Sequence, residues 1–331
     1  MNIKDSWLKS GYVDEKVPTN VDIKNEIIRL KEEKDAIIMA HFYQTNEIQD
    51  IADFVGDSLA LAQEAAKTDA KIIVLAGVHF MGETAKILSP DKLVLVPDLN
   101  AGCSLADSCP PEVFQSFVEK HPDHTVLTYV NTTAKIKALS DIVVTSTNAK
   151  TIVDSLPEDE KIIFGPDRNL GNYLNSISGR DMVLWDGACH VHEKFSVEKI
   201  VELKQEHPDA LVLAHPECKK PLLLLADFVG STAALLNYSI KSEATKFIVA
   251  TESGIIHQMQ KESTDKQFIP APPNDSTCAC NDCEYMKLNT MEKLYNSLKY
   301  EWPAIDVDED IRIEAVKPIN RMLDISKKAG L

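Results

Sequence analysis

One stretch recurs three times in this chain, and the recurrence limits what the chain can fold into. The first copy is HFYQTNEIQDIADFVGDS, His41 to Ser58, preceded by the apolar run Ala36-Ile37-Ile38-Met39-Ala40. The second copy starts at Tyr129 (YVNT…SDIVVTS) and ends at Ser146; the third starts at His215 (HPEC…ADFVGST) and ends at Thr232. The register is constant, because the intervals His41 to Asp53, Tyr129 to Asp141 and His215 to Asp227 are equal, and Ala-Asp-Phe-Val-Gly recurs literally at 52–56 and 226–230. Each copy reads as a buried strand ending in polar residues, a helical segment, and a short apolar run closing on Ser or Thr. Solenoid repeats have periods of about 20–50 residues. Units starting at 41, 129 and 215 are far longer and suit small α/β domains.

The rest of each unit follows the same plan. Largely apolar runs, as expected of parallel strands buried on both faces, lie at 36–40, 71–76 and 93–96, at 126–130, 161–164 and 182–185, and at 210–214, 246–250 and 267–269. Helical patterns fall between them, including 21–33, 47–55 and 59–66, and helices are also expected at 289–298 and at 311–329 with a break at Pro318. Residues 1–20 carry no strong pattern and read as an arm. The expected fold class is α/β: three pseudo-threefold-related α/β/α domains, each a small parallel sheet flanked by helices, with the active site at their junction. The boundaries are 1–106 (arm plus first unit), 107–192, 193–285, and 286–331 for C-terminal helices packing back on the body.

Composition narrows the function. A formal net charge of −16 disfavours nucleic acid and anionic membrane as partners, while leaving small anionic substrates open. The amino terminus has no apolar signal segment and no run approaches about 18 apolar residues, so a cytoplasmic protein is expected. In that compartment its seven cysteines do not form a disulfide scaffold.

Ligands of parallel sheets sit beyond the carboxyl ends of the strands, and the polar clusters of this chain fall there. Cys103, Cys189 and one of Cys278, Cys280 or Cys283 each follow the third strand of a unit. Three soft ligands brought together by a threefold arrangement suggest zinc or an iron–sulfur cluster. The competing reading is buried thiols plus a zinc-binding CxC…C fragment, and position in the repeat favours ligation. Spacing alone does not choose among the last three cysteines. Cys109 and Cys218 have no equivalents and read as structural.

His41, Tyr43, Tyr129, Asn131, His215 and Glu217 take matching strand-end positions. Ser58, Ser146 and Thr232 match one another just ahead of helices, where a hydroxyl beside free amides binds carboxylate or phosphate; taken singly, each would be a plain N-cap. Glu217 is the one carboxylate of the strand-end set and the natural general base, although a lone Glu is more often a solvated surface residue. His192 can serve as acid, base or hydrogen-bond donor near the metal, against the more common structural role. His79, His190 and His257 lack support from the repeat, and Lys219 and Lys220 either help hold phosphate or face solvent.

The chain resembles the quinolinate synthase family of NAD biosynthesis. The residues that carry the resemblance are HFYQ (41–44), GDS (56–58), GVHFMGETAKIL (77–88), AGCSLAD (101–107), YVNTTA (129–134), TSTNA (145–149), WDGACHVHE (185–193), AHPEC (214–218), GST (230–232) and CNDCEYMKLNTMEKL (280–294). It implies three pseudo-symmetric α/β domains and a [4Fe–4S] cluster held by Cys103, Cys189 and Cys283, the last because it precedes the pair Tyr285-Met286. The CxCxxC of this chain departs from the CxxCxxC of some members, which leaves Cys278 and Cys280 as spare thiols or a redox-sensitive pair. The implied reaction, of transferase type, condenses iminoaspartate (iminosuccinate) with dihydroxyacetone phosphate to quinolinate, phosphate and water, with the cluster as Lewis acid. Substrate contacts carry over to His41, Ser58, Tyr129, Val130, Asn131, Ser146, His215, Pro216, Glu217 and Thr232, and catalytic roles to Glu217, Tyr43, His192 and Tyr129. An L-aspartate oxidase or dehydrogenase is the implied supplier of iminoaspartate. The rival readings are an iron–sulfur sensor or carrier that makes no product, and a zinc-dependent lyase. Iron and sulfide analysis separates zinc from a cluster, and incubation with both substrates separates enzyme from sensor.

Overall fold

The computed structural model describes residues 4–274 and 281–331. The nine apolar runs become strands of three four-stranded parallel sheets. The first sheet holds β1 (Ala36–His41), β2 (Phe54–Gly56), β3 (Ile72–Ala76) and β4 (Leu93–Leu95) in the order β2-β1-β3-β4. The second holds β5 (Thr125–Tyr129), β6 (Ile142–Val144), β7 (Ile162–Gly165) and β8 (Val183–Leu184) in the order β6-β5-β7-β8. The third holds β9 (Leu211–Ala214), β10 (Phe228–Val229), β11 (Lys246–Ala250) and β12 (Gln267–Pro270) in the order β10-β9-β11-β12. The α/β reading with three small parallel sheets therefore holds.

The equal intervals of the repeat have a hydrogen-bond cause. The Asp53 carboxylate accepts from the Ile38 amide at 2.9 Å, Asp141 from Val126 at 2.8 Å and Asp227 from Val212 at 2.8 Å. The amide of each Asp returns a bond to the carbonyl of the same partner, at 2.9, 2.9 and 2.8 Å. A reciprocal pair of this kind pins the entry to the edge strand onto the first strand of its sheet. One slipped residue would break both bonds and turn every side chain of the short edge strand over.

Three expectations need correction. The helix expected at 47–55 spans Asn46–Ile51, and Phe54–Gly56 leaves it to pair with β1, Met39 opposite Phe54. Such edge strands, β2, β6 and β10, are too short for periodicity to reveal, so each sheet has one strand more than the three read from the apolar runs. Pro318 does not break the last helix, which runs Glu309–Lys328 with the proline inside it. Residues 4–20 are not a loose arm. Asp5–Ser10 is helical, and Trp7, 2% exposed, packs with Val13 and Trp302.

Contacts divide the described residues into two compact units. One comprises the residues up to Cys103 with Thr133–Ala138 and Glu284–Val316, and contains the first sheet. The other comprises Ser104–Thr132, Leu139–Cys283 and Lys317–Leu331, and contains the second and third sheets. In the first unit the helices Ile23–Glu33 and Met291–Tyr300 pack on the sheet, with Ile27, Leu30, Leu294 and Leu298 against Ile38, Val74 and Leu95. In the second unit Phe195, Ile200 and Leu222 cover Val212, Ile248 and Ala250 of the third sheet. No helix among the described residues is long and apolar enough to cross a membrane.

Candidate active site

The densest polar cluster lies in the second unit, at the carboxyl ends of β5 and β9. Beyond β9 the chain turns so that the Glu217 amide donates to His215 Nδ1 at 3.3 Å. That bond makes Nδ1 an acceptor, so the neutral ring carries its proton on Nε2. Burial pushes the His215 pKa down to about 3, with help from His192 and against the pull of Glu217. His215 is therefore a neutral Nε2–H donor at physiological pH.

Glu217 is 3% exposed, with a hydrogen bond to one oxygen and an imidazole beside the other. The Tyr129 hydroxyl, at the end of β5, donates to Oε1 at 2.5 Å. His192 Nδ1 stands 2.9 Å from Oε2, its Nε2 lies 3.1 Å from the Thr251 hydroxyl, and its ring stacks on His215 with centroids 4.7 Å apart. Burial by itself would raise the Glu217 pKa; the two imidazoles and the Tyr129 hydroxyl outweigh it and hold the carboxyl down to about 2.

The other residues read from the second and third copies lie in the same unit. Val130 and Pro216 are buried, and the Asn131 Oδ1 is a buried oxygen with no hydrogen-bond partner among the described residues. Ser146 occupies the turn before the helix Ala149–Asp154, and Thr232 opens the helix Thr232–Lys241. The two turns meet where the Thr147 hydroxyl donates to Ser231 Oγ at 2.8 Å. Ser231, not Thr232, caps its helix, accepting from Ala234 at 3.3 Å.

The first unit repeats the design. The Tyr43 amide donates to His41 Nδ1 at 3.2 Å, which fixes the same tautomer, and the two rings meet edge to face at 4.5 Å. Lys287 Nζ donates to the Tyr43 carbonyl at 2.7 Å, and Gln49 clamps the carbonyls of Phe42 and Gln44, both at 2.9 Å. Ser58 opens the helix Ser58–Lys67, and here too the preceding residue is the cap, Asp57 accepting from Ala60 at 3.0 Å. The plain N-cap reading thus fails for both Ser58 and Thr232, because their neighbours already do that work.

The cysteines divide by environment. Burial pushes the Cys109 thiol up to about 12 and the Cys218 thiol well above its ordinary value, and Cys218 Sγ donates to the Ala250 carbonyl at 3.4 Å. Neither is a ready thiolate. Cys103, Cys189 and Cys283 are only half-buried. Cys103 lies in the first unit and the other two in the second; Cys278 and Cys280 lie outside the described residues. One ligand atom each of Cys189, His192 and Glu217 fall within 4.8 Å of one another, a group able to hold a metal. Soft thiolate, imidazole and carboxylate donors suit zinc or iron.

Four residues escaped the sequence reading. Asp167 and Glu252 are fully buried, and they accept from the backbone amides of Cys189 at 3.2 Å and Cys283 at 3.1 Å. Burial, and then the charge of Glu217, push the Asp167 carboxyl well up. Lys137 is also fully buried; burial lowers its pKa to about 8 while Glu83 and Cys103 pull the other way. Aligning the ends of β7 and β11 would have exposed Asp167 and Glu252, but nothing local marks Lys137 or Glu83. Of the unsupported residues, His190 Nδ1 lies 2.6 Å from the Ser104 hydroxyl, and Lys220 is exposed at the rim of a cavity of about 450 Å³ with Asn169, Asn172 and Tyr173.

Residues 25–324 match the family described as quinolinate synthetase A protein. The chain belongs to the quinolinate synthetase A family. The quinolinate synthase of Chloroherpeton thalassium is 57% identical over 316 residues, covering 95% of this chain and 98% of that one. Those of Nostoc punctiforme and of a Synechocystis species are each 60% identical, covering 92% of this chain and 94% and 96% of theirs. Family membership at this coverage extends across all three sheets and both polar clusters.

Proposed function

We propose that this chain is a quinolinate synthase acting in the cytoplasm, condensing iminoaspartate with dihydroxyacetone phosphate to quinolinate, phosphate and water. The observation that carries this beyond family membership is the buried carboxylate Glu217, held between the Tyr129 hydroxyl and the His192 imidazole. Burying a carboxylate costs several kcal/mol unless it is well partnered, so a site that does so needs an ionised carboxylate in a dry place.

The resemblance to the family implies a [4Fe–4S] cluster on Cys103, Cys189 and Cys283, and the half-buried setting of these three thiols, against the deep burial of Cys109 and Cys218, suits that role. Such a cluster, when bound, supplies a Lewis-acidic iron that polarises a substrate oxygen and eases loss of water. The chain's own residues do the rest. The Nε2–H groups of His41 and His215 donate to carboxylate or phosphate oxygens, and Ser58, Ser146 and Thr232 add hydroxyls beside helix starts. Asn131 Oδ1 accepts from the substrate nitrogen, with Val130 and Pro216 shaping the wall. Glu217 takes the proton released on isomerisation, Tyr129 passes it along the bond the two share, and Tyr43 delivers one to the departing hydroxyl. His192 holds Glu217 in line and donates near the cluster. No net electron transfer is needed. An L-aspartate oxidase or dehydrogenase would supply the iminoaspartate.

The test is Glu217→Gln. The amide keeps the shape but cannot accept a proton, so cluster absorption should stay intact while quinolinate formation collapses; normal turnover would remove Glu217 from the mechanism. A second reading, a zinc-dependent lyase, is favoured by the Cys189, His192 and Glu217 group. Iron and sulfide analysis of anaerobically purified protein decides between them.

A further inference from the structure

Asp167 and Glu252 are buried carboxylates that the chemistry above does not use. They occupy matching places, since β7 ends at Gly165 and β11 at Ala250, and each carboxylate follows two residues later. Each divides its two oxygens in the same way. Asp167 Oδ1 accepts from the Leu170 amide at 2.8 Å and closes its own turn, while Oδ2 reaches the Cys189 amide at 3.2 Å. Glu252 Oε2 accepts from the Gly254 amide at 2.8 Å, and Oε1 reaches the Cys283 amide at 3.1 Å.

Neighbouring bonds tighten both loops. Arg168 N donates to the Gly187 carbonyl at 2.8 Å, and the Asn281 side chain donates to the Val191 carbonyl at 2.9 Å. The first unit has Val78 and not a carboxylate two residues past β3; there His79 N donates to the Ala101 carbonyl at 2.7 Å, and Asp98 Oδ1 accepts from the Asn100 amide at 2.8 Å.

Closing a turn does not require a buried carboxylate; a shorter polar side chain at the surface does it. What a carboxylate adds is two acceptor oxygens in fixed relation, able to hold a local amide and a distant one together. We propose that Asp167 and Glu252 are positioning residues that set the Cys189 and Cys283 loops in the ligating conformation before metal arrives. This rests on the assignment of Cys189 and Cys283 as cluster ligands. It makes the second unit's ligands preorganised, and partners just outside the ligand sphere commonly change metal affinity by ~10–100-fold.

The test uses the anaerobically prepared full chain carrying Asp167→Asn, Glu252→Gln or both, in which the shape is kept and one acceptor oxygen becomes a donor. Asp227→Asn is the comparison, because Asp227 likewise accepts a backbone amide, that of Val212, without touching a cysteine. Iron and sulfide per chain, the rate of iron loss to a chelator, and the unfolding midpoint of the apo-protein are measured together. Asp167→Asn and Glu252→Gln should each release iron at least ~10-fold faster than the parent, the double variant faster still, with apo-protein midpoints no lower than that of Asp227→Asn. Release at the parent rate would overturn the proposal, as would equal acceleration in Asp227→Asn, which would mark a general loss of stability. Cys189→Ala and Cys283→Ala are run alongside. If they retain parental iron, the ligand assignment has failed and the proposal with it; if they lose iron while the carboxylate variants behave as the parent, the positioning role alone has failed.

Discussion

Glu217 and His215 are neighbours that one environment keeps in different charge states, the carboxyl ionised and the imidazole neutral. Both have pKa values below their ordinary ones, Glu217 at about 2 and His215 at about 3. The unfolded chain therefore binds more protons than the folded one as acid is added, and stability falls with pH. His215 acts first, because its contribution is complete above pH ~6.5 and is lost as pH drops toward 3; Glu217 adds its share below pH ~4.5. Between pH 6.5 and 4.5 the unfolding free energy should fall with a contribution of about 1.4 kcal/mol per pH unit from His215. His215→Gln should flatten that slope in denaturant titrations across this range, and an unchanged slope would show that the imidazole is not held neutral. Tyr129→Phe should cost about 1.5–3 kcal/mol, the range for a hydrogen bond to a charged group; a loss below 0.5 kcal/mol in denaturant unfolding would show that Glu217 does not depend on the hydroxyl. At this scale the repeat made His41, Tyr129, His215 and Glu217 legible, because matching positions stand out against one another. The bonds from Asp167 and Glu252 to the cysteine amides and the imidazole tautomers are not legible, because each depends on a partner set by the folded backbone.

The strands show the same division. Nine apolar runs were readable because a strand buried on both faces is apolar at every position. The edge strands β2, β6 and β10 hold two or three residues each, and only the pairing with their neighbours makes them strands. The helix Asn46–Ile51 ends short of the expected 55 for that reason, and the last helix runs on through Pro318, where a break is expected. Trp7 escaped because one buried aromatic in a polar segment has no period. The loop between β8 and Cys189 supplies a test at this level. A Cβ on Gly187 would meet the Ser108 hydroxyl and would stand 2.5 Å from the Pro166 carbonyl, so Gly187→Ala must move backbone. It should cost about 1–3 kcal/mol in thermal or denaturant unfolding and reduce iron content in step with the displaced Cys189 loop. Parental stability and parental iron together would show that the loop tolerates movement.

Over the whole chain, three sheets of identical strand order follow from one repeated stretch, and the same register that places Asp53, Asp141 and Asp227 places the site residues. The sequence alone leads to a metal-assisted site for a small anionic substrate. The choice of chemistry comes from family membership, since no spacing of residues specifies a pyridine ring. Of the proposed cluster ligands, Cys103 falls in one unit and Cys189 and Cys283 in the other, and the proposal requires all three thiols. Chain purified without oxygen, alongside Cys103→Ala, Cys189→Ala and Cys283→Ala, is assayed for iron and sulfide and then incubated with iminoaspartate and dihydroxyacetone phosphate. The parent should contain iron and sulfide in equal amounts and form quinolinate, and each variant should lose both. Bound zinc without sulfide, or quinolinate made by a variant lacking one of the three thiols, would contradict the proposal.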